Sequence, residues 1–161
     1  MPNSYISIIM GICTKQKYVH MHRKNSALPR TLTPKLENYL KAIYFIQRRE
    51  GKATVKKIAL ALGVKVPSAS EAVKRLMRAG MIRHENYGEV SLTEKGMKVV
   101  KELEERYRSI LSFLNEVLGI DQDLAAKESC ILEHLISKET ALRMASLTRK
   151  LKEKRALKSC S

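Results

Sequence analysis

Residues 54–80 read TVKKIALALGVKVPSASEAVKRLMRAG, and they carry the clearest backbone pattern in the chain. The small residue Ala59 stands four positions before Gly63, a spacing that predicts two closely crossing helices with a tight turn between them. Pro67 is suited to the first turn of the next helix, and Gly80 is suited to its end. This segment is therefore predicted to form a helix-turn-helix.

The second helix of such a motif lies in the major groove of DNA, with its N-terminal residues nearest the bases. We expect Glu71 to accept a hydrogen bond from a cytosine amino group or simply to be exposed, because a carboxylate does not favour phosphate. The residues predicted to bind DNA are Lys65, Pro67, Ser68, Ser70, Glu71, Lys74 and Arg75, with Arg78 as a further phosphate contact.

The hydrophobic period changes on either side of this motif. Before it, Thr33 and Pro34 begin a helical pattern that Gly51 ends. After it, two short extended runs flank the turn residues 86–88, which predicts a β-hairpin over residues 81–92. A hairpin in this place would be the wing of a winged helix, with Arg83, His84 and Tyr87 near its tip.

Three further helices are predicted in the C-terminal half: a long one from Thr93 to about Leu118, a fifth from Asp121 to Ile136, and a sixth from Lys138 or Glu139 to about Lys154. The apolar stripe of the fifth helix is assigned to Leu124, Ile131, Leu132 and Leu135 and is expected to face inward. The predicted fold is mostly α, with an N-terminal winged helix-turn-helix followed by an all-helical domain.

The fifth helix carries a cluster of metal-ligating side chains. Cys130, Glu133 and His134 stand at positions i, i+3 and i+4, which places them on one helical face, off the apolar stripe. A thiolate, a carboxylate and an imidazole together can bind a divalent transition metal. Asn38 on the first helix also lies off its stripe and can complete the set. The alternative is a half-buried cysteine beside a solvated edge.

Charge and cysteine content limit the class of protein. The formal net charge is +15, concentrated at both ends, and it favours a nucleic-acid partner, although basic ends can also be merely solvated. Three scattered cysteines and an apolar stretch of only residues 5–12 indicate no disulfide framework and no membrane span. We therefore expect a cytoplasmic protein. Enzyme motifs are absent from the sequence, so neither an enzyme nor a small-molecule substrate is predicted.

Several ordered segments resemble one known family, the iron-dependent repressors of the diphtheria toxin repressor type, which include the manganese transport regulators. The resemblance covers about residues 32–152. It rests on Glu37-Asn38-Tyr39-Leu40 with Ile43-Tyr44, on Val66-Pro67-Ser68-Ala69-Ser70, on Leu92-Thr93-Glu94-Lys95-Gly96, on Leu118-Gly119-Ile120-Asp121, and on Glu128-Ser129-Cys130-Ile131-Leu132-Glu133-His134.

The resemblance implies a homodimer that binds double-stranded DNA and one metal per subunit, with Asn38, Cys130, Glu133 and His134 as the metal ligands. Cysteine at 130 is typical of iron-type members, so iron(II) is the first choice, with manganese, nickel, cobalt or zinc as alternatives. The positions of a second metal site hold Tyr107 and Leu111, and Lys41 stands where manganese-type members have an acid. The chain is similar to a short form without the SH3-like domain.

The predicted function is a metal-dependent DNA-binding transcriptional regulator, a repressor of metal-homeostasis genes. Two alternatives remain: a winged-helix regulator that needs no metal, and a winged-helix module that binds only proteins. The predicted domains are a basic, poorly ordered extension over 1–30, a DNA-binding domain over 31–97, a dimerisation and metal-binding domain over 98–153, and a basic tail over 154–161.

Overall fold

A computed structural model describes residues 32–85 and 88–159 of the chain, with side chains through Leu157. The predicted N-terminal extension and the wing residue Tyr87 lie outside the described residues. Within the described part the fold is mostly helical with a small sheet, which confirms the predicted fold class. The chain divides into two compact units, residues 1–100 and 101–161.

Three helices form the frame of the N-terminal unit: α1 (Pro34–Glu50), α2 (Val55–Ala61) and α3 (Val66–Arg78). Their ends follow the predicted caps. The Oγ1 atom of Thr33 accepts a hydrogen bond from the backbone N–H of Leu36 at 3.3 Å, and Gly51 ends α1 at a positive φ of 73°.

The turn between α2 and α3 depends on a glycine. Gly63 has a φ of 59°, a left-handed conformation that is costly for residues with a Cβ. The backbone N–H of Val64 reaches back to the carbonyl of Ala59 at 3.0 Å, which closes the end of α2. Helices α2 and α3 pack against each other and against α1, as a helix-turn-helix requires.

A three-stranded antiparallel sheet completes the N-terminal unit, with strands β1 (Ala53–Thr54), β2 (Ile82–His84) and β3 (Glu89–Leu92) in the order β1-β3-β2. The hairpin of β2 and β3 was predicted, but β1 was not. Its two residues are too short to show a period, and Ala53 is ordered by pairing with Val90 across the sheet.

A close backbone contact joins the end of α3 to the start of the next helix. A Cβ atom at Gly96 would overlap the carbonyl oxygen of Met81, so only glycine fits there. Around this contact, the backbone N–H of Thr93 donates to the Met81 carbonyl at 3.0 Å, and the Thr93 hydroxyl donates to the Gly80 carbonyl at 2.8 Å. These bonds tie the residue that follows β3 to the two residues that lead from α3 into β2.

The long helix predicted to run to Leu118 changes geometry before its end. Helix α4 (Glu94–Ser112) is regular, and a π-helix (Phe113–Val117) follows it. The backbone N–H of Leu118 donates to the Phe113 carbonyl five residues earlier, at 3.2 Å. The unit boundary lies within α4, between Val100 and Lys101.

Two helices follow, α5 (Gln122–Leu132) and α6 (Lys138–Ser159). Helix α5 starts at the predicted cap Asp121, but it ends at Leu132 rather than Ile136. Its last turn tightens there, because the backbone N–H of His134 bonds the Ile131 carbonyl three residues back. Helix α6 continues past Lys154 to Ser159, so the predicted tail begins inside a helix.

The inner face of α5 also differs from the prediction. Its buried residues are small, namely Ala125, Ala126, Ser129 and Cys130, whereas Leu124 and Leu135 are each 49% exposed. Ile131 and Leu132 are half-buried. Small side chains allow α5 to lie close to the rest of its unit, and the large leucines are left at the surface. None of the helices in the described ranges is both long and apolar enough to cross a membrane.

Candidate DNA-binding surface and metal centre

The residues predicted to bind DNA share one face at the start of α3. Lys65, Pro67, Ser68, Glu71, Lys74 and Arg75 are exposed, and Ser70 is half-buried. The opposite face, with Ala69, Ala72, Val73 and Leu76, is buried in the core of the unit. The apolar anchors thus direct the polar and basic side chains of α3 outward, where a duplex can reach them.

Two further exposed residues of the helix-turn-helix were not singled out from the sequence. Val66 is 46% exposed at the first turn of α3, and an apolar side chain there can contact a thymine methyl group. Lys56 is exposed on α2, the helix that crosses the DNA backbone in a helix-turn-helix. The sequence signal for Lys56 was its helical position between Val55 and Ile58, which face inward.

The described part of the wing is ordered by its own polar contacts. The backbone N–H of Glu85 donates to the Glu89 carbonyl at 2.8 Å, and the hydroxyl of Ser91 donates to the Glu85 carboxylate at 2.9 Å. Arg83 and His84 are exposed on β2, so both are accessible to a phosphate backbone.

The three clustered metal-ligand candidates of the C-terminal unit are buried, contrary to the edge position expected from the helical stripe. Cys130 and Glu133 are fully buried, and His134 is 1% exposed. Because α5 ends at Leu132, Glu133 and His134 lie in the turn that follows the helix. The Nε2 atom of His134 is 3.4 Å from the Oε1 atom of Glu133, which gives a buried imidazole–carboxylate pair.

Cys130 is disulfide-bonded in the structure, and neither of the other cysteines of the chain, Cys13 and Cys160, is among the described residues. Within the described ranges, no three His, Cys, Asp or Glu side chains form a group that can hold a metal ion. A disulfide sulfur is not the thiolate that binds metals. The carboxylate and imidazole fit a divalent metal, and the cysteine fits it only when reduced.

A buried tyrosine accompanies this pair. Tyr107 on α4 is 2% exposed, and burial together with the negative charge of Glu133 raises the pKa of its phenol to about 12. From the sequence alone Tyr107 was only the place of a missing histidine. The influence of Glu133 on the Tyr107 pKa depends on how α4 and the end of α5 pack, which no sequence pattern shows.

Asn38, the fourth predicted ligand, belongs to the other unit. It is half-buried on α1, beside the buried Glu37 and three residues before Lys41, which is fully buried. A buried ammonium group needs compensating partners, so this segment of α1 is a polar strip within an otherwise apolar helix face.

Two family models together match most of the chain. The N-terminal DNA binding domain of the iron dependent repressors matches residues 31–90, and the metal binding and dimerisation domain of the same family matches residues 93–156.

Curated relatives agree with the match to these family models. An HTH-type transcriptional regulator of Methanocaldococcus jannaschii is 33% identical over 76% of this chain and 99% of its own length. The HTH-type transcriptional regulator MntR of Bacillus subtilis is 31% identical over 78% of this chain and 88% of its own.

Solved structures share the fold. The manganese regulator SloR is 31% identical with a TM-score of 0.64, over 73% of this chain and 55% of SloR. A protein of Sulfolobus solfataricus is 25% identical with a TM-score of 0.62, over 74% of this chain and 91% of its own. The chain therefore spans about half the length of SloR and nearly all of the Sulfolobus protein.

A winged helix with an exposed basic recognition helix, followed by a helical unit with a buried carboxylate–imidazole pair, defines a DNA-binding transcriptional regulator rather than an enzyme. The family matches make the identification specific: the chain belongs to the iron dependent repressor family. Members of this family bind DNA, respond to a divalent metal and pair through the C-terminal domain, and the resemblance seen in the sequence is confirmed.

Proposed function

We propose that the chain is a metal-dependent repressor of metal-ion homeostasis genes, acting in the cytoplasm as a homodimer on double-stranded DNA. The observation that carries this proposal is the combination, in one chain, of the exposed basic face of α3 and the buried pair of Glu133 and His134. Metal and DNA binding are thermodynamically linked, so each raises the affinity for the other by the same factor.

The proposed metal ligands are Asn38, Cys130, Glu133 and His134. A buried carboxylate is stable when a cation or hydrogen-bond donors compensate it, and Glu133 is fully buried beside an imidazole. Thiolate and imidazole ligands favour iron(II), cobalt or zinc over manganese. Iron(II) is therefore the proposed physiological metal, although the similar protein SloR is named as a manganese regulator.

The thiol state of Cys130 sets a condition on metal binding. Cys130 is disulfide-bonded in the structure, and only a reduced, deprotonated cysteine binds metal. Metal binding through this residue therefore requires reducing conditions, which the experiment must provide.

The test is a gel-shift assay with duplexes from the promoter of the protein's own gene. Reduced protein is compared with and without a metal chelator, and then across an iron(II) titration in the absence of oxygen. We expect binding to be lost on chelation and restored near one equivalent of metal per subunit. Parallel titration with manganese compares the two metals directly, and a tighter response to manganese would overturn the choice of iron.

A second function is favoured by one observation. With Cys130 in a disulfide, the described residues contain no three-ligand metal group, so a regulator that binds DNA without metal fits this form. Binding that persists unchanged under chelation in both reduced and oxidised protein would replace the metal-dependent proposal. No binding under any condition would favour a winged helix that contacts only proteins.

A further inference from the structure

The last turns of α6 form a basic segment, residues 149–157, which lies outside the winged helix. Its charged residues are five bases and one acid: Arg149, Lys150, Lys152, Lys154, Arg155 and Glu153. All of these side chains are exposed. The sequence left open whether basic chain ends bind nucleic acid or are merely solvated, and the structure adds that this one is an ordered helix.

The basic segment is anchored on its inner side and open on its outer side. Thr148 is buried, whereas residues 152–157 are all exposed. Lys152 pairs with the Glu116 carboxylate at 2.6 Å, and the guanidinium of Arg155 donates to the Glu116 carbonyl at 3.1 Å. Glu116 belongs to the π-helix, against which α6 packs. These contacts hold the segment in place while its outer face remains accessible.

Two lysines of the outer face have no carboxylate to compensate them. Lys150 and Lys154 are four residues apart, so they lie on one side of α6, away from Thr148. Arg143, on the same face, pairs with Glu139 at 2.7 Å, but among the described residues no acidic side chain forms such an ion pair with Lys150 or Lys154. Like charges at this spacing destabilise a helix, and a bound polyanion offsets that repulsion.

We propose that the basic segment of α6 is a second DNA-binding surface, on which Lys150 and Lys154 contact the phosphate backbone. Double-stranded DNA carries one negative charge per ~1.7 Å of its axis, and the two lysines are separated by about 6 Å along the helix. DNA is the partner because the family of this chain has a DNA-binding domain and the charge of the segment is complementary. Such contacts add affinity without sequence preference, and they do not depend on the proposed metal site.

The test compares double variants of the full-length protein. Lys150→Gln with Lys154→Gln removes both outer-face cations. Lys127→Gln with Lys138→Gln removes the same charge from two exposed lysines elsewhere in the C-terminal unit, and Lys150→Arg with Lys154→Arg keeps the charge in place. Because all four positions are exposed, every variant should keep the melting temperature of the parent.

Fluorescence anisotropy measures affinity for a labelled duplex of arbitrary sequence from ~50 to ~200 mM salt. Each lost phosphate contact reduces the slope of log affinity against log salt concentration by about 0.9, so the outer-face glutamine pair should reduce it by about 1.8. Across this salt range, the affinity of the parent should therefore fall about 12-fold more than that of the variant. The control glutamine pair and the arginine pair should both keep the slope of the parent.

Three results would overturn the inference. If the outer-face glutamine pair keeps the slope of the parent, its lysines do not contact phosphates, and a loss of binding to phosphatidylserine vesicles in that variant would assign the face to a membrane surface instead. If both glutamine pairs reduce the slope equally, net charge alone is responsible. If the arginine pair reduces the slope as much as the glutamine pair, the charge of the segment is not what binds DNA. The proposed metal dependence is tested separately by chelation and stands under all three results.

Discussion

Burial of His134 determines how its substitution must be interpreted. An imidazole off the apolar stripe was expected to lie at the surface, where truncation costs under about 1 kcal/mol. The side chain is 1% exposed and faces a buried carboxylate, so His134→Ala should lower the free energy of unfolding of the metal-free protein by roughly 2–3 kcal/mol. Urea denaturation measures this loss. The exposed His84→Ala should change stability by less than about 0.5 kcal/mol, and an equally small loss at His134 would contradict its burial.

The raised pKa of Tyr107 also predicts a loss of stability at alkaline pH. Its native pKa of about 12 lies above the unfolded reference of ~10, so between these values the native protein holds a proton that the unfolded chain has released. Stability contributed by the neutral phenol is complete below pH 10 and falls as the pH rises toward 12, by up to about 3 kcal/mol.

Thermal unfolding at pH 8, 10 and 11 tests this alkaline loss by comparing the parent with Tyr107→Phe. The parent should lose more stability than the variant over this range, because phenylalanine does not titrate. Equal losses in both proteins would assign the alkaline sensitivity to other groups.

At the level of single residues, the sequence predicted that Cys130, Glu133 and His134 lie together in one segment. It did not predict the buried environment around them. Helical periodicity assumes that the largest apolar side chains face the interior. In α5 the interior is filled by Ala125 and Ser129, because close helix packing leaves room only for small side chains. Tyr107 could not have been connected to Glu133, since the two are brought together by tertiary packing alone.

At the level of elements, the start of α4 is held by a contact that tolerates no side chain. In an exposed helix, Gly→Ala stabilises by about 1 kcal/mol through propensity. Gly96→Ala should do the reverse and destabilise by about 2 kcal/mol or more, because its Cβ would overlap the backbone carbonyl of Met81. Chemical denaturation shows whether Gly96→Ala raises or lowers the free energy of unfolding. Lys98→Ala, exposed in the same helix, should be nearly neutral, and a stabilising Gly96→Ala would exclude the close contact.

The exposed basic side chains of α3 predict a salt-dependent loss of DNA affinity. Lys74→Ala and Arg75→Ala should each weaken binding on all sequences and reduce the slope of log affinity against log salt concentration by about 0.9. Fluorescence anisotropy across a salt series measures the slope. Lys127→Ala, exposed on α5 in the other unit, should leave it unchanged. If neither α3 variant alters the slope, the phosphate contacts lie on another surface.

Helix starts were predictable at this level, because Thr33 and Asp121 accept backbone hydrogen bonds at the helix starts assigned to them. Helix ends that lack a glycine were not predictable from the sequence. The change to π geometry after Ser112 and the end of α5 at Leu132 have no local sequence marker, and strand β1 exists only because β3 pairs with it.

At the level of the whole molecule, we predict that the subunits pair through the exposed leucines of the C-terminal unit. Leu124→Glu should shift the reduced protein toward monomer at micromolar concentration, since it places a charge on an apolar surface that a second copy is expected to cover. Analytical ultracentrifugation measures the distribution. Leu60→Glu, at an 84% exposed leucine of the other unit, should leave the protein dimeric. A stable Leu124→Glu dimer would move the interface to another face.

The π-helix at Phe113–Val117 sets the direction in which the chain leaves α4. A π turn is the form an α-helix takes when it accommodates one extra residue, and each added residue rotates the remainder of the helix by about 100°. Here the extra residue is secured on both sides: the amide of Asn115 donates to the Ile120 carbonyl at 2.9 Å, and Lys152 pairs with Glu116 at 2.6 Å. Relatives whose α4 continues without interruption are therefore expected to be one residue shorter at this point, with the residue equivalent to Leu118 facing a different direction.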